Sequence, residues 1–139
     1  MDFPKVAMVD GVFPANSKGH TYMPMPYHGS KAHGTRGGRK TKWAVPQNGQ
    51  YYIFTYADER DWRDIHAEGL FSFCNGCEEK IGVNGEKLAF FKSPSNATDP
   101  WHGYPVFSSE IEDEELINRW YNEKEIKYGV WIKLLRHAL

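Results

Sequence analysis

The sequence predicts a single α+β domain, with a mainly antiparallel sheet built from hairpins, two helices and a long irregular N-terminal region. Three observations lead there. Asn-Gly pairs at Asn48-Gly49, Asn75-Gly76 and Asn84-Gly85 stand beside short apolar runs, and such pairs are strong turn signals. Two stretches place apolar residues at helical spacing. Residues 1–42 hold Pro4, Pro14, Pro24 and Pro26 with six of the thirteen glycines, and show little periodicity. The 139 residues are enough for one real core and too few for two, so residues 43–139 are read as the α+β core behind that irregular segment.

The elements follow in order. "WAV" and "QYYIFTY" flank Pro46-Gln47-Asn48-Gly49 and read as a β-hairpin. "ADERDWRDIHAEG" reads as the first helix, with Asp58 as cap, Trp62, Ile65 and His66 on the inner stripe and Gly69 at the stop. "LFSFC" is a strand, and "KIGV" and "EKLAFF" form a second hairpin across Asn84-Gly85. The stretch "KSPSNATDPWHGYP" is a polar loop. Ser109 with Glu112 fits a capping box for a second helix, whose stripe is Leu116, Ile117, Trp120 and Tyr121. The alternation of Ile126, Tyr128, Val130, Ile132 and Leu134 predicts a closing strand.

Composition narrows the function classes. Aromatic residues number 21 against 20 Val, Ile and Leu, so either the core or a ligand surface is rich in rings. Residues 1–50 carry seven Lys or Arg against two acids, whereas residues 51–139 carry ten against sixteen. A net charge of −1 thus conceals a dipolar chain, which argues against a general nucleic-acid coat and for a localised basic site. No apolar run approaches the roughly 18 residues that span a bilayer. The N-terminus lacks the basic and apolar regions of a signal peptide. The expectation is a cytoplasmic protein with no membrane partner.

The basic site is "YHGSKAHGTRGGRKTK", residues Tyr27 to Lys42, with five cations and no acid. Gly34, Gly37 and Gly38 would turn backbone N–H groups toward an anion, and Lys31, Arg36, Arg39, Lys40 and Lys42 supply charge. Tyr27 or Trp43 offers a ring for stacking on a base. The Gly-Lys-Ser/Thr ending of a Walker loop is missing. A solvated loop has the same composition.

"TDPWHGYPV", Thr98 to Val106, is the second candidate. Two prolines stiffen it, His102 is the acid, base or ligand, Tyr104 adds a hydroxyl, and Asp99 is placed to orient the imidazole. The structural alternative has Trp101 and Tyr104 anchoring the loop while His102 bonds a backbone carbonyl. Cys74-Asn75-Gly76-Cys77 is the third candidate, half of a zinc knuckle or a redox pair, with His66 and His102 the nearest residues to complete a metal site. A lone C-x-x-C is a weak signal, because Asn-Gly alone already accounts for a tight turn with two incidental thiols flanking it.

Residues 27–66 also resemble the ADP-ribosyltransferases of the His-Tyr-Glu class. "YHGS" or "AHGT" looks like the family's His-Gly-Ser/Thr element, and "GQYYIFTYADERDW" like its Gly-x-Tyr strand and following helix. The resemblance implies that His28 with Ser30, or His33 with Thr35, binds NAD ribose, that Tyr52 or Tyr56 faces nicotinamide, and that Glu125 is the glutamate. The spacer is short for the family's intervening helix, and "YMPMPY" puts two prolines in the strand before the histidine.

The expectation from these residues is a protein that engages RNA or a nucleotide through the basic segment. His28, His33 and His102 are its acid–base groups, Lys31, Arg36, Arg39, Lys40, Trp101 and Tyr104 its ligand contacts, and zinc at Cys74 and Cys77 a subsidiary option. The competing expectation is a protein-binding module, an inhibitor or assembly factor, that uses the aromatics Trp101 and Tyr104.

Overall fold

Four antiparallel strands run as a meander, β1 (Arg63–Asp64), β2 (Gly69–Phe73), β3 (Leu88–Lys92) and β4 (His102–Val106), each hydrogen-bonded to the next. Helix α1 (Gln47–Arg60) precedes the sheet, and α2 (Glu114–Asn122) and α3 (Tyr128–Leu135) follow it. This computed structural model describes residues 2–25 and 41–139. The α+β class with an antiparallel sheet stands, with three α-helices among the described residues in place of two. Among the described residues no helix is long and apolar enough to cross a membrane.

The first predicted hairpin is instead helix α1. Pro46 precedes it with φ −70°, and Gln50, Ile53, Phe54, Ala57 and Asp58 form its buried stripe. Asn48-Gly49 does not turn the chain. Asn48 Nδ2 donates to the carbonyls of Phe3 and Pro4, and Gly49 lies so close to the Phe3 ring that a Cβ there would come within 2.7 Å of it. The pair is a dock for the N-terminus. The helix stops at Asp61, whose φ of 56° is left-handed and whose N–H reaches back to Ala57 and Asp58. The predicted first helix therefore ends where it was expected to run on. Its second half becomes β1 and a turn in which Asp64 Oδ1 accepts from the N–H groups of His66 and Ala67. His66 and Ile65 are exposed there and lie on no inner stripe.

Strands β2 and β3 follow the sequence pattern. "KIGV" is no strand: the carbonyl of Glu86 accepts from both Ile81 and Gly82 N–H groups, which closes a tight loop. Helix α2 is capped by Asp113, whose carboxylate accepts from Glu115 and Leu116 N–H groups, while the predicted Ser109 box lies in a 3-10 turn over Ser108–Glu110. Leu116, Ile117 and Trp120 face inward as expected. The predicted closing strand is helix α3, because Val130 and Leu134 are buried four residues apart and Trp131 stacks on Tyr121 of α2 at 4.3 Å.

Rings dominate the core. Phe91 of β3 meets Tyr22, Phe54 and Trp43, and Trp62 meets Phe73 and Trp120. Each well-placed pair contributes about 0.5–1.5 kcal/mol beyond the area it buries. Ser72 of β2 donates to the carbonyl of Ile53 at 2.7 Å and holds α1 against the sheet. This packing gives β4 its two different sides. Phe91 lies so close to Gly103 that any side chain there would overlap its ring, while Tyr104 faces the other way, edge-on to Phe90.

Candidate functional site around strand β4

β4 is an edge strand, and an edge strand exposes unpaired carbonyls. Among the described residues three donors meet carbonyls along β4 and just before it. Met23 N–H donates to the Trp101 carbonyl at 3.0 Å, the Trp43 indole N–H to Gly103 at 3.1 Å, and the Thr41 hydroxyl to Pro105. The Trp101 N–H in turn donates to the Thr21 carbonyl at 2.8 Å. The chain is thus fixed to β4 just before and just after the basic glycine segment. His28, Lys31, His33, Arg36, Arg39 and Lys40 themselves lie outside the described residues.

His102 belongs to the strand and not to a loop. Its Nδ1 lies 3.0 Å from the Met23 carbonyl, and a carbonyl can only accept, so Nδ1 carries the proton. In the neutral ring Nε2 is then a bare acceptor. Asp99 does not orient this imidazole; the Met23 carbonyl does. Two residues on, Tyr104 shares the same face of β4 and is partly exposed. Burial, and then the Glu110 carboxylate, raise its hydroxyl pKa, so the hydroxyl stays protonated. Trp101 is 4% exposed and packs on Phe54, so it anchors the core and cannot be a surface contact.

A second histidine meets the same junction, one that its sequence position does not mark. His20 Nδ1 lies 2.8 Å from Asp58 Oδ2, and the same oxygen accepts from Asn16 Nδ2 at 2.8 Å. Asn16 Oδ1 accepts from the backbone N–H groups of Lys18 and His20, so one side chain ties both the turn and the carboxylate. The His20 ring also lies 5.5 Å from that of Trp101. Asp58, expected as a helix cap, is instead a buried member of the last turn of α1. A sequence separation of 38 leaves no spacing signal for His20 and Asp58.

Cys74 precedes and Cys77 closes the 3-10 turn over Asn75–Cys77, and both are buried and in no disulfide. Cys77 Sγ contacts the Lys87 carbonyl at 3.5 Å. Burial raises the pKa of both thiols, the reverse of what thiolate chemistry or metal binding needs. Among the described residues no group of three or more His, Cys, Asp or Glu side chains could hold a metal ion, so His66 and His102 do not complete a zinc site with the cysteines. The strand that the ADP-ribosyltransferase resemblance needs is helix α1. Tyr56 there donates its hydroxyl to Glu125 Oε1 at 3.1 Å, which pairs one of the two tyrosines that the resemblance singled out with its glutamate.

No family model matches the sequence, and neither a curated protein nor a solved structure shows significant similarity to it.

Proposed function

We propose that the protein binds a phosphate-bearing ligand, RNA or a nucleotide, beside strand β4. The cations Lys31, Arg36, Arg39 and Lys40 would neutralise phosphate, while His102 and Tyr104 meet the rest of the ligand. One observation carries this most. Met23 before the basic segment, Thr41 at its end and Trp43 just after it are bonded to the strand that bears His102 and Tyr104 or, for the Met23 N–H, to the residue just before it. A segment held at both ends to one strand supports joint action of its cations with that strand's side chains. Any phosphodiester or nucleotide chemistry would fall to His28, His33 and His102, and the bare Nε2 of His102 suits proton transfer.

The test is a pair of substitutions. Changing Arg36 and Arg39 together to Ala lowers affinity for a short RNA or a nucleotide and makes its salt dependence shallower, by roughly 0.7 in log–log slope for each single-strand phosphate no longer neutralised. Unchanged affinity overturns the proposal. Replacing His102 by Ala abolishes any turnover while the ligand still binds.

The exposed rings favour a second reading, a protein partner. Tyr104 is 37% exposed and Phe107 44% exposed, and both stand at β4 and just beyond it. A protein partner held there loses affinity with Tyr104→Ala and is little affected by salt.

A further inference from the structure

His20 and Asp58 combine three properties that a purely structural ion pair does not need together. Asp58 is almost fully enclosed, with a side chain 2% exposed, while the imidazole it holds is 30% exposed. A carboxylate can only accept, so Nδ1 carries the shared proton and the lone pair of the neutral ring sits on Nε2. Nε2 has no hydrogen-bond partner among the described residues. The carboxylate is itself pre-positioned by Asn16, which also fixes the His20 backbone through its own Oδ1. The Trp101 ring, 5.5 Å away and tilted by 43°, walls one side of the imidazole.

We infer that His20 is a proton-transfer site, a general base held by Asp58 for a substrate that brings a hydroxyl or a water to Nε2. In that step Nε2 takes the proton of the O–H group as its oxygen bonds to an electrophilic centre. The imidazolium then returns the proton to the leaving oxygen. Asp58 accepts from the Nδ1–H throughout and balances the positive charge, and the Trp101 face adds to that stabilisation. The substrate class is an ester whose attacking group is a hydroxyl or water. Among the described residues the partners of His20 are Asp58, Asn16 and Trp101, so its activation is argued without the cations of the basic segment.

The experiment uses the full chain and diethyl pyrocarbonate, which acylates the unprotonated nitrogen of imidazole. Modification is followed residue by residue by mass spectrometry at neutral pH, with exposed His66 in the β1–β2 turn as internal reference. His20 is expected to react at least tenfold faster than His66 despite being less exposed, and Asp58→Asn to bring it to the His66 rate or below. A wild-type His20 no faster than His66 overturns the proposal. So does an Asp58→Asn protein that is folded by circular dichroism and reacts as wild type does. If that variant does not fold, the wild-type tautomer decides: nitrogen-15 spectra of neutral His20 must show the proton on Nδ1, and a proton on Nε2 overturns the assignment.

Discussion

The Trp43 indole N–H donates to the Gly103 carbonyl at 3.1 Å, a side chain taking the place of a neighbouring strand. The bond closes the middle of the β4 edge and ties down the chain where it returns from the basic segment. Its ring also packs at 6.0 Å on Phe91, so the contact joins edge protection to the core.

Trp43→Phe keeps most of the packing and removes the donor. The Gly103 carbonyl is then left to water or to nothing, at a cost of about 1–2 kcal/mol in stability. Chemical denaturation should show that loss, and ligand affinity should fall with it as the anchor loosens. A variant as stable as wild type would mean that the bond contributes nothing.

The thiols give a pH prediction. Burial raises both Cys74 and Cys77, so the folded chain keeps protons that the unfolded chain loses above about pH 8.5. The stability they contribute is full below that pH and declines as pH rises through it, by at most about 1.4 kcal/mol per pH unit for each thiol. Denaturation midpoints at pH 7 and pH 10 measure it. Native protein should also resist a thiol reagent at pH 8 and react at once in denaturant. Rapid labelling of the native protein would contradict the burial of both groups.

Glu86 has no exposed surface. Its Oε1 accepts from the Asn84 N–H at 2.9 Å, and its Oε2 has no partner among the described residues. A buried carboxylate with only one oxygen bonded is costly, so Glu86→Gln, which keeps the Oε1 acceptor, should be at least as stable as wild type. Glu86→Ala loses the acceptor as well and should be destabilised by about 1–3 kcal/mol. Thermal unfolding of the two variants separates the cases. Equal losses would mean that Oε2 is held by a cation.

These residues also explain what is legible in the sequence. β2 and β3 can be read directly because "LFSFC" and "LAFF" are short apolar runs with turns beside them. Helix α1 escapes such a reading because polar Gln50 and Asp58 lie on its buried stripe while Tyr52 is exposed, which hides the helical period. Asn48-Gly49 then carries a turn signal where the chain needs a hydrogen-bond donor and a gap for Phe3. In α3 nearly every residue from Tyr128 to Leu135 is apolar, so both periods fit and only packing against α2 decides.

The candidate site is legible only in part. His102 and Tyr104 stand out by residue type, but their place on an edge strand depends on pairing with β3. Trp101, expected as a ligand contact, belongs to the core because its ring is buried and packs on Phe54. Nothing local marks His20, whose importance comes from a carboxylate one helix away.

The most direct measurement of the central claim is a binding titration of the whole chain with a short single-stranded RNA and with a mononucleotide, at about 50 and about 200 mM salt. The account predicts binding at the lower salt that weakens steeply at the higher, and that Arg36→Ala with Arg39→Ala flattens this dependence. Absence of binding at low salt, or an affinity indifferent to salt, would contradict it.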